Sequence, residues 1–462
     1  MKTQQKTNKY EIDMCNGSIL DKLISFSIPL MLSGILQLLF NAVDIIVVGR
    51  FTGSEALAAV GSTTALINVF VNFFIGISLG SNVLAARFFA AGKDKEMSET
   101  VHTAITLALI SGVGMGIIGV LAAKGALMLM DTPDNVLNLS TLYMRIYFVG
   151  MPFFMLYNYG AAILRAVGDT KRPLLFLIIS GSVNVVLNLI FVIRFHMGVA
   201  GVAIATVISQ AISCVLVLRC LYRTESSYQL RFSRLGMKAK YVKQIFQVGV
   251  PAGIQSTIIN FSNVLLQSSV NSFGSIAMAG YTAANNIFGF LYVSVNSVTQ
   301  SCMSFTSQNY GAGKYNRINR ILLTGQGCVI VVGVVLGNLA VLFGHQLLHI
   351  YSSNPDVIAA GMVRLHIISA TYALCGIMDV MVGALRGLNY SVLPMVVSLV
   401  GACGLRLVWI ATVFQMPEFH TVQVVYLSYP ITWIITLSTH ILCYCIIKRR
   451  LTKKLALQPA VN

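Results

Sequence analysis

Of the 15 acidic residues in this chain, only Asp44 and Asp379 stand well inside long apolar stretches. A carboxylate in such surroundings is costly unless it is paired, hydrated or neutralised, so the chemistry it suits is reversible capture of a proton or a metal cation. Asp44 belongs to a pattern. Gln37, Asn41 and Asp44 follow i, i+4, i+7 spacing and form one polar stripe on a helix. Asp379 has no comparable stripe around it. A second stripe, Ser256, Asn260, Asn263 and Gln267, recurs further along without a carboxylate, and Tyr292, Asn296 and Gln300 share a face of the next segment. A cleft lined by amides, hydroxyls and aromatics suits large, poorly hydrated solutes, because such groups orient a ligand without trapping it. For any single residue of these stripes, hydrogen bonding between helices is the alternative reading. Pro29 lies on the same helix as Asp44, removes a backbone donor there and supplies a candidate hinge.

Other literal motifs point to no chemistry. Gly114, Gly116 and Gly119 spell GxGxxG inside an apolar helix with no preceding strand, which excludes the nucleotide reading and favours helix packing. His345 and His349 have helical metal-ligand spacing but no acidic third ligand nearby, so no metal site is expected. No P-loop is present, so ATP is not the expected energy source. The nine cysteines form no CxxC pair, and most lie in apolar stretches as small reduced hydrophobes. A membrane enzyme would need a clustered catalytic set, and none is seen.

The elements that must position these residues are membrane helices. The chain is 56% apolar and 10% charged, with a mean hydropathy of +0.78, a balance outside that of water-soluble domains. Apolar windows long enough to span a bilayer fall near 24–50, 57–84, 100–123, 137–163, 173–193, 198–218, 246–270, 277–306, 321–344, 361–384, 393–413 and 424–447. The first follows a polar tail and is too long for a cleaved signal, so it is expected to remain as a span. The net charge of +17 does not mark nucleic acid, because basic residues flank the apolar windows instead of forming an exposed face. Of the 32 Lys and Arg, all but six fall on the N-terminal tail, alternate loops and the C-terminal tail. The exceptions are Arg50, Lys124 and Arg194 on the opposite loops, and Arg145, Arg364 and Arg406 within or near the ends of spans. This asymmetry predicts an even number of spans with both termini cytoplasmic.

Slid along itself by roughly half its length, the chain repeats. Ile28 and Pro29 meet Val250 and Pro251, Asn41 meets Asn263, and Ala91, Gly92 and Lys93 meet Ala312, Gly313 and Lys314. Leu164 and Arg165 meet Leu385 and Arg386, Pro173 meets Pro394, and the GxxxG pair Gly112 and Gly116 meets Gly333 and Gly337. Gly, Pro and Arg hold positions that apolar drift does not reproduce. The expected fold is therefore all-α and membrane-integral, with twelve transmembrane helices in two pseudo-twofold-related six-helix bundles. The lobes are 1–218 and 244–462, joined by a basic cytoplasmic linker, 219–243. Two such bundles enclose a cleft suited to alternating access.

The sequence also resembles the multidrug and toxic compound extrusion (MATE) transporters over nearly its whole length. The resemblance rests on the first-span string IPLMLSGILQLLFNAVDIIVVGR, on AAGKDKE with its partner GAGKYNR, on ILRAVGDTKRP with its partner ALRGLNYSVLP, and on GVAGVAIATVISQ. It implies an antiporter of the cytoplasmic membrane that exports cationic or amphipathic organic compounds against inward Na⁺ or H⁺, with no cofactor beyond that ion. Asp44 resembles the family's first-helix carboxylate, Asn184 its fifth-helix asparagine and Thr206 its sixth-helix threonine. Asn188 departs from the pattern, since many relatives carry Asp there; its loss weakens a Na⁺ site and leaves Asp44 able to take a proton. Ile259 stands approximately where some relatives carry Glu, and Asp379 is the second lobe's own acidic candidate. The chain is expected to act as a monomer on small organic substrates. The alternative is a flippase for lipids or lipid-linked oligosaccharides, whose cleft would be cationic to hold pyrophosphate.

Overall fold

The computed structural model describes residues 10–130 and 132–456, among which no strand occurs. The first half forms α1 (Ile19–Phe51), α2 (Ser54–Ala90), α3 (Asp94–Leu129), α4 (Asp134–Val149), α5 (Met151–Ala166), α6 (Lys171–Leu189) and α7 (Gly198–Arg223). The second forms α8 (Ala239–Asn271), α9 (Ser275–Gly311), α10 (Tyr315–Leu342), the short α11 (Gly344–His349), α12 (Pro355–Gly387), α13 (Val392–Ser398), α14 (Leu405–Ala411) and α15 (Val422–Ala456). A π-helical turn, Ile190–Arg194, ends α6, and another, Leu399–Gly404, joins α13 to α14. Each of the twelve expected windows falls on one helix or one broken helix, so the protein has the all-α, twelve-span, two-lobe architecture read from its sequence.

Nine helical segments among the described residues are long and apolar enough to cross a bilayer, and α4 with α5, bent by 46°, makes a tenth. α8 and α9 reach the length but are diluted by the amides and hydroxyls of their stripes. Of the twelve expected spans, they are the two that fall short of the hydropathy of a lipid-facing helix.

Local chemistry sets the helix ends. Asn354 caps α12 through the Asp356 amide at 2.9 Å, with Pro355 opening the first turn. Gly92 and Gly313, equivalent in the repeat, follow α2 and α9 with φ of +65° and +71°, a conformation open to glycine. Both GxxxG pairs are helix crossings. A Cβ on Gly112 would lie 2.6 Å from Pro152 Cα, and one on Gly116 would lie 3.0 Å from the Phe148 oxygen. In the second half, Gly333 and Gly337 bring α10 equally close to α12, at 3.0 Å from Ala373 Cα and 2.6 Å from the Ser369 oxygen.

Packing divides the chain into two units. One runs to Gly253 and includes Ser307–Lys314; the other holds Ile254–Thr306 and the chain from Tyr315 onward. Glycine contacts place the start of α8 in the first unit: a Cβ on Gly76 would meet Gly253 Cα at 2.4 Å. The linker also docks on that unit. The Arg231 amide donates to His102 Nε2 at 3.0 Å, Lys238 pairs with Glu99, and the Tyr241 hydroxyl donates to Glu99 at 2.8 Å. α1 runs unbroken through Pro29, whose carbonyl accepts from Ser33 Oγ at 2.7 Å. The candidate hinge is thus a buried proline within a continuous helix.

Candidate functional site

The first lobe's site begins with a close approach between α1 and α6. Gly181 of α6 has no side chain, and a Cβ there would lie 1.9 Å from Phe40 Cε2. With Phe40 seated on that glycine, the next turn of α1 brings Asp44 to Asn188. The Asn188 amide donates to the Asp44 carboxylate and to Asn184 Oδ1, the latter at 3.2 Å. Asn184 Nδ2 in turn reaches Thr206 Oγ1 at 3.5 Å, and Thr206 donates to the Val202 carbonyl at 3.0 Å, anchoring the chain of bonds on α7. Asn184 and Asn188 are buried, while Asp44 and Thr206 are half-buried. Tyr143 and Tyr147 of α4 stand within electrostatic reach of Asp44, and Gln210 of α7 lies near Tyr147.

Chemically this is one carboxylate among uncharged oxygen and amide groups. Asn188 Oδ1 is buried and receives no hydrogen bond, which leaves an oxygen open beside Asp44. Proton capture needs only the carboxylate, and a hard cation such as Na⁺ needs several such oxygens. The π-helical turn begins two residues after Asn188, at Ile190, a distortion that occurs often at functional positions.

The other residues singled out by spacing are placed differently. Gln37 and Asn41 are exposed, and neither makes a side-chain hydrogen bond to the Asp44 cluster. In the second lobe Asn260 is exposed, Asn263 and Gln267 are half-buried, and Asn296 and Gln300 are half-buried below an exposed Tyr292. Asp379 of α12 is half-buried and has Arg386 as its electrostatic partner. Arg386 donates to Gln255 at 2.8 Å, and Tyr292 and Cys375 lie within electrostatic reach of Asp379.

Spacing did not reveal Phe40, Gly181, Tyr143, Tyr147 or Gln210. Tyr143 and Tyr147 do repeat at i, i+4, but aromatic pairs at that spacing are usual in any apolar helix. Arg386 reads in the sequence as a loop cation and the repeat partner of Arg165; only the structure shows its hydrogen bond to Gln255 and its electrostatic reach to Asp379.

Comparison with known proteins agrees on one family. The MatE family model matches residues 29–190 and 251–412, one copy in each half of the chain. A probable multidrug resistance protein of Bacillus subtilis (strain 168), YoeA, is 29% identical over 423 residues, covering 89% of this chain and 90% of the relative. A second from the same organism, YpnP, is 29% identical over 397 residues, covering 85% and 88%. Among solved structures, the outward-facing conformation of a multidrug resistance MATE family transporter superposes with a TM-score of 0.90 at 20% identity, covering 97% of this chain and 100% of the other. At that identity the likeness speaks for the fold.

Proposed function

The chain belongs to the MatE family, and on that premise we propose that it is a cation-coupled antiporter that exports lipophilic, cationic organic compounds by alternating access. The observation that carries the reading is the chain of hydrogen bonds from Asp44 through Asn188 and Asn184 to Thr206. A carboxylate so placed is stable when neutralised, so loading with H⁺ or Na⁺ and unloading change the energy of the first lobe. Coupling follows if the solute-bound and ion-bound lobes favour different conformations. The open amides of α8 and α9 supply the solute cleft, and the multidrug relatives support a broad organic substrate class. We place the lobes at 1–218 and 244–462 with the linker 219–243 between them. The chain acts as a monomer in the cytoplasmic membrane, with both termini cytoplasmic, as the distribution of Lys and Arg supports.

Transport in proteoliposomes under separately imposed pH and Na⁺ gradients tests the coupling. A lipophilic cation should move against one gradient and stand still without either; movement indifferent to both gradients would rule the antiporter out. Membrane-impermeant thiol labelling at an introduced cysteine replacing Arg231 tests the topology, and labelling from outside intact cells would overturn it. The flippase reading keeps one observation in its favour, the arginines of the second lobe, since pyrophosphate needs cations.

A further inference from the structure

The second unit holds two buried guanidinium groups with no carboxylate to answer them. Arg364 on α12 and Arg406 on α14 are each 3% exposed. Three acidic residues occur in this part of the chain, Asp356, Asp379 and Glu418. Asp356 and Glu418 are exposed, Asp379 is half-buried with Arg386 within electrostatic reach, and among the described residues none forms an ion pair with Arg364 or Arg406. Arginine does not shed its proton in proteins, so both positive charges persist. An unpaired charge held away from water is strongly unfavourable.

Aromatic faces and a few acceptors offset part of that cost. The Arg364 guanidinium lies 3.6 Å from the Tyr281 ring centroid, and it donates to the Tyr281 carbonyl at 2.8 Å and to Asn285 Oδ1 at 3.2 Å. The Arg406 guanidinium lies 4.0 Å from the Tyr429 centroid and donates to Thr432 Oγ1 at 3.4 Å. Tyr281 and Tyr429 lie close enough to interact electrostatically, and Tyr281 stacks on Tyr426 at 6.5 Å. Two cations therefore flank one tyrosine cluster, with Trp433 at 5.7 Å from Tyr429. The Nε–H of each arginine is buried and has no acceptor.

The cluster sits where the repeat places the first lobe's site. The displacement that takes Gly112 to Gly333 takes Tyr143, beside Asp44, to Arg364, and takes Val185, next to Asn184, to Arg406. The counterparts of α4, α6 and α7, which stand around Asp44, carry the two guanidiniums and Tyr429 in the second lobe, while Tyr281 comes from α9, the counterpart of α2.

We propose that Arg364 and Arg406, with Tyr281 and Tyr429, form a binding site for the carboxylate or phosphate group of an aromatic solute. The oxyanion takes the unused guanidinium donors in charge-assisted bonds, and the ring packs on the tyrosines and Trp433. The solute class reaches beyond the simple cations proposed above, to aromatic acids and to amphoteric compounds that carry an acid group. The site's existence does not depend on which ion drives transport.

A binding measurement on the full chain tests this apart from transport. The chain has two tryptophans, so Trp409→Phe leaves Trp433 as the sole reporter. In phosphatidylcholine nanodiscs, 2-naphthoate should quench Trp433 saturably and bind roughly tenfold more tightly than neutral 2-naphthamide, the scale of one charge-assisted contact. Arg406→Gln should erase that preference, and Arg406→Lys should keep part of it, both at wild-type unfolding temperature. Equal affinity for naphthoate and naphthamide in the arginine-containing protein would overturn the assignment even if the variants failed to fold. So would an undiminished preference in folded Arg406→Gln. Saturable binding of inorganic pyrophosphate with none of naphthoate would also overturn it, and would favour a lipid-pyrophosphate ligand instead.

Discussion

In the first lobe the polar side chains of α1, α6 and α7 meet at one carboxylate, Asp44, whereas the second lobe gathers its own around cations, with Arg386 beside Asp379 and Arg364 and Arg406 among tyrosines. Both grew on one repeated backbone plan, with the same GxxxG crossings and the same left-handed glycines after α2 and α9. The difference teaches that the repeat preserves what the backbone requires, glycine at close approach, and leaves the polarity of the interior free to diverge. A carboxylate with neutral neighbours can gain and lose its charge by binding a cation. A guanidinium keeps its charge, so it suits recognition of a ligand more than switching.

The sharpest way to break this contrast is Asp44→Asn. A neutral amide fits the same hydrogen bonds, so the protein should fold and reach the membrane, while gradient-driven export should fall to the level of empty vesicles. Wild-type rates at matched expression would end the division of labour. Gly181→Ala comes next. The added methyl would strike Phe40 and push α1 from α6, an overpacking cost of about 1–3 kcal/mol, and export should drop severely although no polar group is lost. Gly114→Ala is its control, since nothing lies within 4 Å of a Cβ there; equal losses from both would show that the α1–α6 approach is not special.

Asp379→Asn should be milder than Asp44→Asn, because Arg386 keeps its bond to Gln255 and the coupling carboxylate is untouched. If Asp379→Asn abolishes export as completely as Asp44→Asn, the second lobe shares the coupling. The smallest effect belongs to Thr206→Val. Its hydrogen bond from Asn184 is long, at 3.5 Å, so the loss should be near the lower end of about 0.5–1.5 kcal/mol, read as a small fall in unfolding temperature with export reduced and not abolished.

Much of this was legible along the chain because membrane helices are specified locally. Twelve apolar windows needed only their own composition, and Asp44 stood out because a charge in such a window is rare. Asn184, Asn188 and Thr206 are ordinary amides and a hydroxyl in apolar helices; the family resemblance marked them, and no spacing of their own did. The stripe on α1 was legible as a stripe, yet it could not say that Asp44, of its three members, would hydrogen-bond to α6.

What the sequence determined by itself is the set of segments, their periodic faces and the twofold repeat, since all three follow from the order of apolar, polar and glycine residues. Tertiary structure decided which buried charges have partners. Asp44 meets Asn188 across 144 positions, and Arg364 meets Tyr281 across 83, through contacts that no local pattern encodes. The physical reason is range: hydropathy acts on each segment where it stands, whereas the energy of a buried charge depends on the few ångströms around it, and those are filled by whichever helices the packing of glycines and aromatics brings together.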